Sequence, residues 1–208
     1  MSETRFAATG IILRLLFWLP LLLWVAWAWG WYYADFWLPV YTRVLAWVLP
    51  DFGVVHFGIA LGREYVFDTQ VMAKHALLVQ GQMLPAGLTV DASTPMYAAL
   101  IHPIVLAAAA LVWPLPSWRD RLLRLGLSLP FLLMLEVFDV PLVLASSIGD
   151  LLSYTLNPVA DRASWRVDWT RVMDGGGRFA LSLAMAFAAA QLHQWLDPFI
   201  RSRSETRR

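Results

Sequence analysis

At 208 residues the chain could form one or two soluble domains, but its 59% hydrophobic content and mean hydropathy of +0.57 exclude an ordinary globular interior, which runs nearer ~45–50% apolar. A net charge of +1 with no dense basic face argues against a nucleic-acid partner. Cysteine is absent, which removes a thiol nucleophile, a disulfide framework and any thiolate metal site. What remains is an α-helical polytopic membrane protein whose sparse charges are gathered between long apolar runs.

The first apolar run, residues 11–33, is read as a transmembrane helix. Arg14 lies near its start, where a long side chain can snorkel to the headgroups. Trp24, Trp27, Trp29, Trp31, Tyr32 and Tyr33 form an aromatic exit suited to the membrane–water boundary. A cleaved secretory signal ending at Ala26-Trp27-Ala28 is the competing reading; the tryptophan-rich, proline-containing core favours a retained anchor. Residues 35–50 are too short to span and are broken by Pro39 and Arg43. Val40, Val44, Ala46 and Trp47 approximate a helical stripe, which predicts an interfacial amphipathic helix, with a buried core helix as the alternative.

Residues 51–94 change to β character. Val55, Phe57, Ile59 and Leu61 alternate, Gly62-Arg63 marks a turn, and Tyr65, Phe67, Thr69 and Val71 share a face. His75–Met83 reads as a third strand and Leu88-Thr89-Val90 as a fourth. A sheet this small is marginal alone, so it needs a helix, a lipid surface or a partner to cover it. His56, Lys74, His75 and Asp68 lack metal-ligand spacing and read as solvated strand residues.

Residues 96–113 and 122–147 are predicted as transmembrane helices joined by the polar link 114–121 in an antiparallel hairpin. At ~1.5 Å per residue, His102 falls ~9 Å below one surface while Glu136 and Asp139 climb ~21 and ~25 Å toward it. The three reach similar depth, and the two acids, three apart, share a helix face. Ionisable groups at membrane depth are costly, so this cluster is the leading candidate site. It reads either as a proton- or ion-handling centre or as a structural latch fixing the hairpin. Wet placement of Asp139 at a span end is a third reading. No spacing supports a metal, and no cofactor motif occurs.

Residues 148–177 form a polar outward loop. Ser147-Ile148-Gly149-Asp150 resembles a capping box for a short helix through Leu151–Leu156, ended by Pro158. Trp165 and Trp169, four apart, suit a partner groove or the lipid boundary. Gly175-Gly176-Gly177 lacks the lysine of a phosphate loop and reads as a flexible linker. Residues 178–196 are the fourth predicted span, in which Ala180, Ala184 and Ala188 form a small-residue row that permits close helix approach. Residues 197–208 are a basic, disordered tail.

Arg14, Arg119, Arg121, Arg124 and the tail arginines fall on one side of this four-span layout. By the positive-inside rule that side is cytoplasmic, with both termini there. The layout resembles the small membrane proteins associated with exosortases, the H-type system in particular. The shared features are an arginine-bearing first span with aromatic exit, a proline-broken stretch, an outward segment and re-entry through Pro95-Met96-Tyr97 to His102-Pro103. The resemblance implies a bacterial inner-membrane partner of a sorting peptidase. Such peptidases act through a cysteine, so this chain is not the peptidase and inherits no catalytic residue. The function expected is a non-enzymatic accessory or scaffold protein docked on a larger membrane protein. A small transporter or intramembrane enzyme using His102, Glu136 and Asp139, and a homo-oligomeric structural protein, are the competing classes.

Overall fold

The computed structural model describes residues 2–79, 81–156 and 165–205. In chain order these form α1 (Ser2–Val48), β1 (Phe52–Leu61), β2 (Tyr65–Ala73), β3 (Leu77–Val79), β4 (Gln82–Leu84) and β5 (Thr89–Pro95). The helices α2 (Tyr97–Val112), α3 (Trp118–Leu156) and α4 (Trp165–Val172) follow, then a π turn at Met173–Gly177 and α5 (Arg178–Glu205). Among the described residues, three helical stretches are long and apolar enough to cross a membrane: Thr9–Val48, Trp118–Thr155 and Asp168–Leu196. The predicted second span, 96–113, is the 16-residue α2. Its ~24 Å falls short of the ~30 Å of hydrocarbon.

The expected break between residues 33 and 35 does not occur: α1 is one helix of 47 residues, and Pro20 and Pro39 do not end it. The predicted interfacial segment 35–50 is instead helix that packs inward. Its buried stripe is Ala34, Trp37, Tyr41, Leu45 and Leu49, an i, i+3, i+4 series. Val40 and Val44 are only half-buried, and Ala46 and Trp47 are exposed, so the stripe read from sequence lay a third of a turn off.

The β region is a three-stranded antiparallel sheet of order β1-β2-β5, with β3 and β4 as a separate hairpin. Of the predicted face of β2, Phe67, Thr69 and Val71 are buried, as the period-2 pattern requires, and Ala73 extends it, whereas Tyr65 at the strand's start is exposed. In β1 the register slips between Val54 and His56. The extra residue, Val55, is exposed, so the alternation read through it fails there. Thr69 Oγ1 donates to the His56 carbonyl at 3.0 Å, satisfying a backbone group beside the bulge. The predicted third strand splits at Gly81, whose φ of 80° turns β3 into β4. The fourth begins at Thr89 and pairs with β2.

The hairpin link is capped. Ser117 Oγ accepts from the Asp120 amide at 3.2 Å, and the Ser117 amide donates to Asp120 Oδ2 at 3.2 Å, a capping box with Asp in the acidic position. The box expected at Ser147 is absent: Ser147 lies inside α3 and its hydroxyl donates to the Val143 carbonyl at 3.0 Å. The predicted loop 148–177 is therefore largely helical, although Pro158, expected to stop the first helix, lies outside the described residues. Gly175-Gly176-Gly177 is an ordered turn rather than a loose linker. The tail predicted as disordered continues α5 to Glu205.

The described residues fall into two compact units. The helical unit comprises α1 up to Ala28, Ile101–Leu135 and the chain from Arg178. The mixed unit comprises Trp29–Leu100 and Glu136–Gly177, and holds the sheet.

Candidate functional site

Within the mixed unit the site is built around Tyr41. The inward stripe of α1 places its ring among aromatics from helix and sheet. Trp37 stacks on it at 6.0 Å and 16°, Phe67 meets it edge-on at 5.4 Å and 88°, and Phe57 lies 6.3 Å away. The ring is fully buried, so its hydroxyl requires a partner. It donates to Glu136 Oε2 at 2.7 Å. One side chain thus joins α1, the sheet and α3.

Glu136 and Asp139 are 0% and 2% exposed, on one face of α3 as their spacing requires. The carboxylate of Glu136 also interacts electrostatically with Tyr33, and Asp139 with Tyr41. Two acids and two phenols therefore share one enclosed region lined by Trp37 and Phe67. Phenols can donate to a carboxylate without introducing charge, which makes the burial of Glu136 tolerable.

His102 belongs to the helical unit, where it is likewise fully buried. Its Nδ1 lies 2.8 Å from Ser182 Oγ, and Ser182 Oγ donates to the Arg178 carbonyl at 2.7 Å. A hydroxyl has one proton. With that proton on the Arg178 carbonyl, Ser182 can only accept from His102, so Nδ1 is the donor in this pair. Of the predicted trio, the two acids belong to the mixed unit with Tyr41, and the imidazole to the helical unit with Ser182.

The remaining sequence candidates are spread over the chain. Trp165 opens α4, and Trp169 is half-buried one turn later, near the exposed Arg171–Asp168 pair at 3.9 Å. Ala180 and Ala184 are exposed and Ala188 half-buried. The buried stripe of α5 runs instead through Arg178, Ser182, Ala189 and His193. Of the basic anchors, Arg119 is exposed, Arg14 and Arg121 are half-buried, and Arg124 is buried at 4% exposure. A cleft of about 100 Å³ in the mixed unit is lined by Ser146, Ser147, Asp150, Thr170 and Arg171. That is room for a few waters, below the ~300 Å³ of typical ligand sites. Among the described residues no group of three or more His, Asp or Glu is arranged to hold a metal ion.

Sequence reasoning missed Tyr41 and Ser182. Tyr41 lies outside the stripe suggested by Val40, Val44, Ala46 and Trp47, although its i+4 relation to Trp37 and Leu45 marks the true stripe. Ser182 was visible as a lone hydroxyl within an apolar span. No protein-family model, curated protein or solved structure matches the chain.

Proposed function

We propose that this chain is a non-enzymatic accessory protein of a bacterial inner membrane, docked on a larger integral membrane protein of the exosortase sorting type. The observation that carries this reading is the Tyr41–Glu136 bond, 2.7 Å long and enclosed among aromatic rings. A carboxylate used this way ties three elements together; it serves as a latch, and a scaffold depends on such latches to present fixed surfaces. The His102–Ser182 bond has the same character.

In this reading α1, α2, α3 and α5 make four crossings, both termini are cytoplasmic, and the sheet and α4 face outward. The flanks of α1 supply lipid contact through exposed Leu13, Leu16, Phe17 and Trp24. Trp165, Trp169 and the Ala180/Ala184/Ala188 row are the surfaces offered to the partner.

A second reading draws on a specific observation, the burial of two carboxylates on one face of α3. That arrangement favours a proton-handling transporter or intramembrane enzyme built on Glu136 and Asp139, with His102 as a further relay group. Copurification of the tagged full chain in mild detergent separates the two. Under the accessory reading, a larger integral membrane protein comes down with the wild type, and Glu136→Gln or Asp139→Asn weakens that assembly while chain levels hold. Retained assembly with lost turnover or flux assigns the acids to chemistry. Crosslinking that yields only multiples of this chain assigns it to a homo-oligomer.

A further inference from the structure

The helical unit contains one buried arginine, Arg124, and two half-buried ones, Arg14 and Arg121, that neither reading uses. Trp18 of α1 stacks on Trp118 of α3 at 6.3 Å and 23°, which ties these two helices at that level. Arg14 lies one turn before Trp18, a rise of ~6 Å on the same face. The Arg121 guanidinium sits over the Trp118 ring at 5.8 Å. Arg124 follows Arg121 by three positions on the same side of α3. The tryptophan pair therefore brings three guanidinium-bearing residues from two helices within about two helical turns of one another.

Each has an enclosed nitrogen with no hydrogen-bond partner among the described residues: Nη1 of Arg14, Nε of Arg121 and Nε of Arg124. Arg124 is 96% buried, so it is held inside the protein rather than reaching for solvent. The one acid in residues 101–135 is Asp120. It acts electrostatically on Arg124, but its Oδ2 is already engaged by the Ser117 amide and hydroxyl. Among the described side chains of this unit, Asp120 is the one carboxylate available to these three arginines, and it is committed to capping a helix. Unneutralised buried charge is among the costliest features a fold can hold.

We propose that this cluster is a binding site for a phosphate-bearing anion. The forked donors of arginine match phosphate oxygens, and basic pockets between membrane helices are suited to acidic headgroups. Arg14, Arg121 and Arg124 hold the phosphate, and the Trp18/Trp118 stack forms an apolar wall beside it. Either an acidic phospholipid of the surrounding leaflet or free phosphate supplies this chemistry. The assignment needs membrane residence only, so it stands or falls separately from the accessory role.

The test uses the full chain purified in mild detergent and reconstituted with phosphatidylglycerol or with phosphatidylcholine. Native mass spectrometry is expected to show a retained phosphatidylglycerol adduct and no matching phosphatidylcholine adduct. Occupancy should fall about tenfold in Arg14→Gln/Arg124→Gln, the loss expected for one or two charge-assisted bonds. Arg119→Gln, which removes an exposed charge from the same helix, should leave it unchanged. Arg124→Lys preserves the charge and guards against misfolding of the double variant; it should retain a weakened adduct. Stabilisation of the lipid-free wild type by millimolar inorganic phosphate, with displacement of the adduct, makes the free anion the source. Equal adducts in both lipids and in the double variant, with no response to phosphate, overturn the site.

Discussion

Tyr41 shows how one side chain can carry both packing and polarity. Tyr41→Phe keeps the ring against Trp37, Phe57 and Phe67 and deletes only the donor to Glu136. It should cost about 1–2 kcal/mol, the range for a buried bond to an acid. Tyr41→Ala also empties the aromatic cage and should cost about 3–5 kcal/mol. Thermal unfolding in detergent measures both. A double-mutant cycle with Glu136→Gln should return a coupling near ~1 kcal/mol, whereas additive losses would mean the hydroxyl and the acid are independent. The acids were legible in the sequence because a charge inside an apolar run is conspicuous. Their phenolic partner was not, because pairing residues 41 and 136 requires tertiary knowledge that no local spacing carries. His102 shows the same limit: an imidazole inside an apolar run is conspicuous, but its Ser182 partner on α5 is not.

At the scale of elements, what the sequence conveyed depended on whether local and tertiary signals agreed. The face of β2 was readable because Phe67, Thr69 and Val71 alternate without interruption. The face of β1 was not, because a bulge at Val55 shifts the period and is specified by the partner strand. Prolines misled in α1. Pro39 suggested a boundary, yet the buried stripe from Ala34 to Leu49 runs through it, and packing against the sheet outweighs the lost backbone bond. The triple glycine misled in the opposite direction, since composition suggests slack while geometry demands a defined turn. Gly176 has φ of 106°, and a Cβ on Gly177 would lie 2.5 Å from the Val172 carbonyl oxygen, whereas one on Gly175 meets nothing within 4 Å. Gly175→Ala should therefore leave the melting temperature nearly unchanged. Gly176→Ala should lose about 1–2 kcal/mol through the left-handed backbone, and Gly177→Ala should lose more, because backbone must move. Equal tolerance at all three positions would restore the linker reading.

For the molecule as a whole, the number of crossings is the central physical question. The long helices exceed a bilayer: 40 residues of α1 span ~60 Å, about twice the hydrocarbon thickness. The shortest of the proposed crossings, α2, falls ~6 Å short by the same arithmetic. Mismatch of that size costs a fraction of a kcal/mol per Å and is met by local thinning or by flanking side chains. Met96 and Trp113 extend α2 with apolar surface at both ends, and Trp113 and Trp118 stand exposed where an interface would lie. Under the four-crossing proposal, these are the features that would accommodate α2 in the bilayer. The alternative is a re-entrant helix that returns α3 to the same face, which would place Arg119, Arg121 and Arg124 with the sheet, against the positive-inside rule. The cysteine-free sequence makes the distinction direct, because each introduced thiol is the sole reactive site. Ser93→Cys on β5 should react with an impermeant maleimide in intact spheroplasts, while Pro116→Cys in the hairpin link and Ser204→Cys near the end of α5 should react only after permeabilisation. Labelling of Pro116→Cys from the same side as Ser93→Cys would reduce the crossings to three and separate the termini. It would also set Arg121 and Arg124 on the opposite side of the membrane from Arg14, against the Trp18–Trp118 stack that brings the three together.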